Sequence, residues 1–360
     1  MNPDNNRPDR PSSSFARALN AILQVLILVF PHSLSAGRPE ISHSSQTGIE
    51  VSCISTTVSN LDRSISFYSQ VLGFKLLGQQ ELEGERVERL YGVFAAHLKT
   101  ARLALGMEEI ELIEFLAPAG KPYPATSKSN DRWFQHFAIV TSDMEMAYQR
   151  LRAAKVEYAS SSPQRLPDWN KAAAGIKAFY FKDPDGHPLE ILEFPENKGS
   201  DRWHIRNGEL FLGIDHTAIV VASTAASLKF YRDLLGMTVV GESENYGTEQ
   251  EHLNAIFGAR LHITTLRPQL GPGVELLEYL SPRDGLPFPS DEHTNDIVHR
   301  QTVFIVGDLK SLEAQMRVSG ASFISPDGQA VSDGSGFTGK SFIVRDPDGH
   351  AVQASERGRN

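Results

Sequence analysis

Lys182-Asp183-Pro184-Asp185-Gly186-His187-Pro188-Leu189-Glu190-Ile191-Leu192-Glu193-Phe194 reads as a tight turn feeding a strand. Pro presets φ, Asp bonds its own backbone and Gly accepts φ > 0, which together make a turn. In the strand that follows, Leu189 and Ile191 point one way, and Glu190, Leu192 and Phe194 point the other. A carboxylate on a face shared with Leu192 and Phe194 is costly unless it is paired, protonated or bound to a metal. The same turn returns near the C-terminus as Arg345-Asp346-Pro347-Asp348-Gly349-His350-Ala351-Val352-Gln353-Ala354, where the carboxylate position holds an amide, Gln353.

Outward from these turns the chain repeats itself. Ahead of the first turn come a strand, Phe134-Gln135-His136-Phe137-Ala138-Ile139-Val140, and a helix, Met144 to Ala154, with Met144, Ala147, Tyr148 and Leu151 on one face. Further upstream, a strand over Val51 to Val58 leads to a helix over Leu61 to Leu72, capped by Ser59 or Asn60 and ended by Gly73. Strands over Phe74 to Leu82, Leu98 to Leu105 and Ile110 to Leu116, with a short helical piece around Glu88 to Phe94, complete a βαβββ unit. Then the pattern restarts. Ser227-Leu228-Lys229-Phe230-Tyr231 aligns with Ser64-Ile65-Ser66-Phe67-Tyr68, and Val274-Glu275-Leu276 with Ile110-Glu111-Leu112. Matches at common offsets give an α+β chain of four βαβββ modules in two tandem pairs. The expected domains are 49–195 (modules 49–120 and 132–195) and 211–356 (modules 211–283 and 297–356), joined by a polar linker over 196–210.

Composition narrows the function classes. The chain has 360 residues, 40% apolar and 22% charged, enough for two ordinary cores. A net charge of −9 argues against nucleic acid or anionic lipid as partner. Cys53 is the one cysteine, so neither an intrachain disulfide nor a Cys-rich zinc motif is available. Residues 1–48 differ from the rest: Arg7, Arg10 and Arg17 precede an apolar run over Ala18 to Phe30, then Ser35, Ala36 and Gly37. That is the order of a secretory signal, predicting a secreted or periplasmic protein; an uncleaved leader would instead tether it or leave it cytoplasmic. The run is too short to span a bilayer, so no integral membrane span is expected.

The strand followed by Ser-x-x-Phe-Tyr and Leu-Gly, the Glu-Leu strand, and Asp-Pro-Asp-Gly-His followed by Glu together resemble the vicinal oxygen chelate superfamily over residues 50–356. Its members include glyoxalase I, bleomycin- and fosfomycin-resistance proteins, methylmalonyl-CoA epimerase and extradiol dioxygenases. The resemblance implies that two modules form one cupped mixed sheet with outer helices, around a divalent metal. It implies ligands from the first strand of each module, usually His, and from its last strand, usually Glu. Carried over residue by residue, the first domain offers Cys53, Glu111, His136 and Glu190, and the second offers His216, Glu275, Gln301 and Gln353. Imidazole and carboxylate suit Zn²⁺, Fe²⁺, Mn²⁺ or Ni²⁺, whereas amides are weak ligands, so the metal is expected in the first domain. His299 lies two residues before Gln301 and offers an alternative site in the second domain with His216 and Glu275.

The activity implied is that of a metal-dependent isomerase or lyase of the glyoxalase or epimerase kind, acting through an enolate on a small oxygen-chelating substrate. Glu111 or Glu190 would move the proton. Extradiol-type ring cleavage and non-catalytic sequestration of a small molecule are the alternatives, and a homo-oligomer is compatible with all three. Tyr246, Glu249, His252 and Arg260 are candidates for the mouth of the second sheet, and His97, Lys99 and Arg102 for an anion site in the first. His187 and His350 follow turn glycines and are expected on the solvent side; Trp133, Trp169 and Trp203 flank loops.

Overall fold

Each module begins on a strand buried along most of its length, because a helix covers one face and the interior of the sheet takes up the other. A computed structural model describes residues 48–205, 208–325, 331–332 and 339–356. All but Gly48 of the signal-like leader lies outside the described residues. The first module runs β1 (Glu50–Thr57), α1 (Leu61–Gln70), β2 (Lys75–Glu83), α2 (Glu85–Tyr91), β3 (His97–Leu105) and β4 (Glu108–Ala117). The second runs β5 (Gln135–Thr141), α3 (Met144–Ala153), β6 (Glu157–Tyr158), β7 (Gln164–Arg165), β8 (Lys177–Lys182) and β9 (Pro188–Glu193). The third has β10 (Phe211–Val221), α4 (Thr224–Leu228, continuing as a π-helical turn over Lys229–Leu234), β11 (Thr238–Tyr246), α5 (Thr248–Asn254), β12 (Arg260–Arg267) and β13 (Gly273–Ser281). The fourth has β14 (Arg300–Val306), α6 (Leu309–Val318), β15 (Ser322–Phe323), β16 (Val331–Ser332), β17 (Lys340–Arg345) and β18 (Ala351–Glu356).

The four long helices start alike. Asn60, Asp143, Ser223 and Asp308 each accept a hydrogen bond from the backbone N–H three residues on, the N-cap geometry these residue types favour. Helix α2 begins a turn earlier than the sequence suggests and stops at Gly92, which holds a left-handed φ of 65°.

The strands form two mixed nine-stranded sheets, and here the expected domains divide differently. The first sheet has the order β15-β17-β18-β14-β1-β4-β3-β2, with β16 beside β17, and so combines modules one and four. The second has the order β11-β12-β13-β10-β5-β9-β8-β6, with β7 beside β8, and combines modules two and three. The antiparallel seams are β1–β14, with Ser55 opposite Gln301, and β5–β10, with His136 opposite Ala218. Neither sheet closes on itself, so each is an open mixed sheet with flanking helices rather than a cup.

Two helix-covered cores pair the modules differently from the sheets, while two further clusters join modules two and three, and one and four, as the sheets do. One core joins Ile54, Tyr68, Leu103, Phe137, Phe179 and Ile191, from modules one and two. Another joins Ile219, Phe230, Leu276, Phe304, Met316 and Phe342, from modules three and four. Modules one and two, and modules three and four, therefore share helix-covered cores, while modules one and four, and two and three, share sheets, and the described residues form one compact unit. No helix among the described residues is long and apolar enough to cross a membrane.

The two repeated motifs touch each other. Tyr68 Oη donates to Asp183 Oδ2 at 3.0 Å, and Tyr231 Oη to Asp346 Oδ2 at 3.1 Å, so each helix locks the turn of the following module. His187 and His350 are buried rather than solvent-facing. His187 Nδ1 meets Asp183 Oδ2 at 2.9 Å, its Nε2 meets the Ile297 carbonyl at 2.5 Å, and His350 Nε2 meets the Val220 carbonyl at 2.9 Å.

Candidate metal centre

The alternation inferred for Leu189 to Phe194 holds: Leu189 and Ile191 enter the core shared with module one, while Glu190 and Leu192 face a cavity of about 660 Å³ in the second sheet. Glu190 pairs in parallel register with Ala138, which stands opposite His216 across the seam. By the same geometry Glu275 pairs with Ala218, opposite His136. Four equivalent positions, one from each of β5, β9, β10 and β13, thus converge on one point.

Glu190 Oε2 is 3.0 Å from His136 Nε2 and 3.6 Å from His216 Nε2, and Glu275 Oε2 is 3.4 Å from His216 Nε2. Ligand atoms of His136, Glu190 and His216 all lie within 4.8 Å of one another. All three side chains are buried, whereas 20% of the Glu275 side chain is exposed; Thr265 Oγ1 donates to its Oε1 at 2.9 Å.

These donors fit a divalent cation. Both ring nitrogens of His136 and Nε2 of His216 are buried without a hydrogen-bond partner, a state that folded proteins seldom tolerate. His136 Nε2 lies close to Glu190 without the alignment of a hydrogen bond. Burial presses the Glu190 carboxyl upward, but the close approach and charge of the two imidazoles prevail and hold it below the usual carboxylate range. Burial likewise opposes charging His216, yet the charge of Glu275, the hydrogen bond to Asp215 and the nearby Glu190 carboxylate raise its pKa to about 10. The pocket is thus built to hold positive charge between carboxylates. Two imidazoles and two carboxylates suit Zn²⁺, Ni²⁺, Mn²⁺ or Fe²⁺.

The set expected in the first domain is divided. His136 and Glu190 belong to the second sheet, while Cys53 on β1 and Glu111 on β4 belong to the first. His216 and Glu275, expected to form a separate site, complete the set of His136 and Glu190. The equivalent positions in the first sheet are Cys53, Glu111, Gln301 and Gln353. They are tied up among their neighbours: Ser55 Oγ donates to Glu111 Oε2 at 2.8 Å, and Gln301 Nε2 to Gln353 Oε1 at 2.7 Å. Burial first, then the charge of Glu111, pushes the Cys53 thiol up to about 12, which disfavours the thiolate a metal would need. His299 does not reach His216 or Glu275. Its Nδ1 meets Glu292 Oε1 at 2.7 Å and its Nε2 meets Gln301 Oε1 at 3.1 Å, beside that amide pair.

The weaker candidates also find places. His97 and Lys99 pair with Glu81, Arg102 with Glu109, and Arg260 with Glu244, so carboxylates already engage these cations. His252 meets Ser161, and Tyr246 stacks on Trp169 with ring centroids 4.3 Å apart. Trp133 donates to Ser127; Trp203 is buried against the centre, donating to Asp215 Oδ1 at 3.2 Å. Asp215 is the functional neighbour that sequence reasoning passed over. Its Oδ2 lies 2.9 Å from His216 Nδ1. The signal was the Asp-His pair itself, where the corresponding His136 follows Gln135.

Two open mixed sheets built from four βαβββ modules, one of them carrying a buried cluster of His136, Glu190 and His216 with the partly exposed Glu275 beside it, define a β-module protein with a candidate metal-chelating site. A family profile for the Glyoxalase/Bleomycin resistance protein/Dioxygenase superfamily matches residues 51–191 and 213–354. The chain belongs to that superfamily. It is 26% identical over 188 residues to a lactoylglutathione lyase of Arabidopsis thaliana, covering 52% of this chain and 54% of that protein. It is 29% identical over 151 residues to the 2-epi-5-epi-valiolone epimerase of an Actinomyces species, covering 41% of this chain and 80% of that one. The match therefore spans about half the length of the plant lyase. Glyoxalase I from Zea mays shares the fold at a TM-score of 0.57 with 16% identity, covering 86% of this chain and 92% of that one.

Proposed function

We propose that the chain is a divalent-metal-dependent enzyme for a small substrate bearing two adjacent oxygens, working as an isomerase or lyase through an enolate. The observation that carries this reading is the convergence of His136, Glu190, His216 and Glu275 beside a cavity that the last three line, with buried imidazole nitrogens left unpartnered. A cation held by these four would polarise the substrate oxygens as a Lewis acid. His136, His216 and Glu190 are buried and suit holding it. Glu275 is partly exposed at the cavity, its Oε1 fixed by Thr265, and suits taking a proton from substrate carbon at Oε2 and returning it. In this reading Glu275 takes the role expected of Glu111 or Glu190. Similarity to a lyase and to an epimerase supports proton-transfer chemistry.

Ring cleavage of a catechol is a second reading, favoured by one observation: His136, His216 and Glu190 by themselves form a set of two imidazoles and one carboxylate. The test is to reload stripped protein separately with Zn²⁺, Ni²⁺, Mn²⁺ and Fe²⁺, then offer hemithioacetals, acyl thioesters and cyclic ketoses beside catechols. Metal-dependent isomerisation without oxygen uptake supports the first reading. Oxygen uptake with Fe²⁺ supports the second. Tight binding without turnover would indicate sequestration, and failure to retain any of the four metals would overturn the proposal. The basic, apolar, small-residue order of the leader supports export of this enzyme, which the N-terminal residue of the protein isolated from its native host tests.

A further inference from the structure

Neighbouring residues on a regular strand point to opposite faces, so Asp215 has no ordinary route to the ring of His216. Strand β10 provides one by leaving its ladder. Its register with β5 shifts between Phe211 and Gly213 and again between Ile214 and His216, making Leu212 and Asp215 the extra residues. The second bulge turns the Asp215 carboxylate toward His216, with Oδ2 at 2.9 Å from Nδ1.

The carboxylate is itself held on every side. Arg267 Nη2 donates to Oδ2 at 2.7 Å, Arg267 Nη1 donates to the Asp215 backbone carbonyl at 2.5 Å, and Trp203 Nε1 donates to Oδ1 at 3.2 Å. The bulge is anchored from the other sheet: Glu108 on β4 accepts from Ile214 N at 3.0 Å through Oε2, and from Arg202 Nη1 at 2.5 Å through Oε1. Arg202 in turn lies over the Trp203 ring, 3.8 Å from its centroid. His136 has no such support, for its Nδ1 is buried without a partner.

We infer that Asp215 is a positioning residue that fixes His216 with Nδ1–H donated inward and Nε2 aimed at the cation, and that Glu108 of the first sheet holds the bulge that makes this contact. The inference rests on the metal-binding reading above. A carboxylate on the far nitrogen of a ligating imidazole sets its tautomer and raises its basicity, and losing one weakens metal binding by about 10- to 100-fold. The first sheet thereby contributes to the centre in the second without supplying a ligand.

The test combines zinc affinity, by competition with a chromophoric chelator, and proton exchange at His216 Nδ1, by NMR. Asp215→Ala is expected to weaken zinc binding about 10- to 100-fold and to expose the Nδ1 proton to rapid exchange. Asp215→Asn, whose amide oxygen can still accept that proton, should fall between it and wild type. Tyr231→Phe, which deletes a hydrogen bond to Asp346 away from the centre, should lose stability while retaining affinity. If Asp215→Ala does not fold, Trp203→Phe serves instead, with a smaller loss in the same direction. Wild-type affinity in folded Asp215→Ala, or a loss no larger than that of Tyr231→Phe, would overturn the inference. If wild type takes up none of Zn²⁺, Ni²⁺, Mn²⁺ and Fe²⁺, the functional reading fails separately. Protection of the Nδ1 proton in the metal-free protein, and its loss in Asp215→Ala, then still decides whether Asp215 braces the ring.

Discussion

Replacing Glu190 by Gln keeps the side chain's shape and removes its charge from the middle of the cluster. Its Oε2 lies 3.0 Å from one imidazole nitrogen and 3.6 Å from the other, in a buried position where water cannot substitute for it. Zinc held by protein side chains is bound by about 10–16 kcal/mol. If His136, Glu190, His216 and Glu275 share this evenly, each accounts for about 3 kcal/mol, or roughly a hundredfold in Kd. Glu190→Gln should therefore bind zinc about a hundredfold more weakly in a competition titration. Glu111→Gln, at the equivalent position of the first sheet, should stay within about twofold of wild type. Circular dichroism run beside both guards against unfolding. Undiminished affinity in Glu190→Gln would refute the centre, and an equal loss in Glu111→Gln would refute the division of Glu111 from His136 and Glu190 between two sheets.

Other expectations follow from buried groups elsewhere. Asp183→Asn should cost about 3–5 kcal/mol in urea unfolding, because it strips the charge from a buried pair with His187. Asp346→Asn should cost only about 1–2 kcal/mol, since burial outweighs the His350 charge there and already raises that carboxyl; equal losses would refute the contrast. For Asp183, burial is outweighed by the charge and hydrogen bond of His187, lowering its pKa from 3.8 to about 2. Its stabilisation is thus complete above the unfolded value and lost as pH falls through about 2, which acid titration of wild type against Asp183→Asn will register. Cys53, buried and with its thiol raised to about 12, should resist iodoacetamide at pH 8 until denaturant is added; rapid labelling of folded protein would contradict its burial. Gly213 holds a φ of 155°, and a Cβ there would stand 2.4 Å from Glu108 Oε2. Gly213→Ala should therefore lose about 1–3 kcal/mol and weaken zinc binding, and a neutral outcome in both would count against the bulge as the support of His216.

The sequence carried the modules and, within each, the strand positions that hold His136, Glu190, His216 and Glu275, because each is a local signal repeated at a common offset. Leu189 and Ile191 against Glu190 and Leu192 was read from alternation alone, and the structure keeps it. What alternation could not carry was which module meets which. The first strands β1, β5, β10 and β14 are all largely buried, and each takes one antiparallel neighbour. Either pairing satisfies that need, and the helix-covered cores follow chain order while the sheets do not. His187 was misjudged for a related reason. A residue after a turn glycine looks solvated, but this ring turns inward to Asp183 and the Ile297 carbonyl. Asp215 reaches His216 through a bulge, and a bulge breaks the periodicity from which strand faces are read.

The amide at Gln353 and the carboxylate at Glu190 can now be compared on equal terms, as the same position in two sheets. In the first sheet the replacements are mutually consistent. Gln353 accepts from Gln301, Gln301 meets His299, and His299 is held by Glu292, which Arg345 also engages. An amide both donates and accepts, so a ring of such groups can satisfy itself without a cation. Imidazole and carboxylate in the second sheet do not close in this way. They leave nitrogen atoms of His136 and His216 unpartnered in a buried site, and Asp215 holds one of those rings in place. Restoring one ligand in the first sheet would therefore not restore a site. Gln353→Glu alone would set a buried carboxylate beside Gln301 and Ser355, and would leave Cys53 and Gln301 as weak ligands. The difference between the two sheets lies in whole hydrogen-bond networks, of which Glu190 and Gln353 are the positions most visible in the sequence.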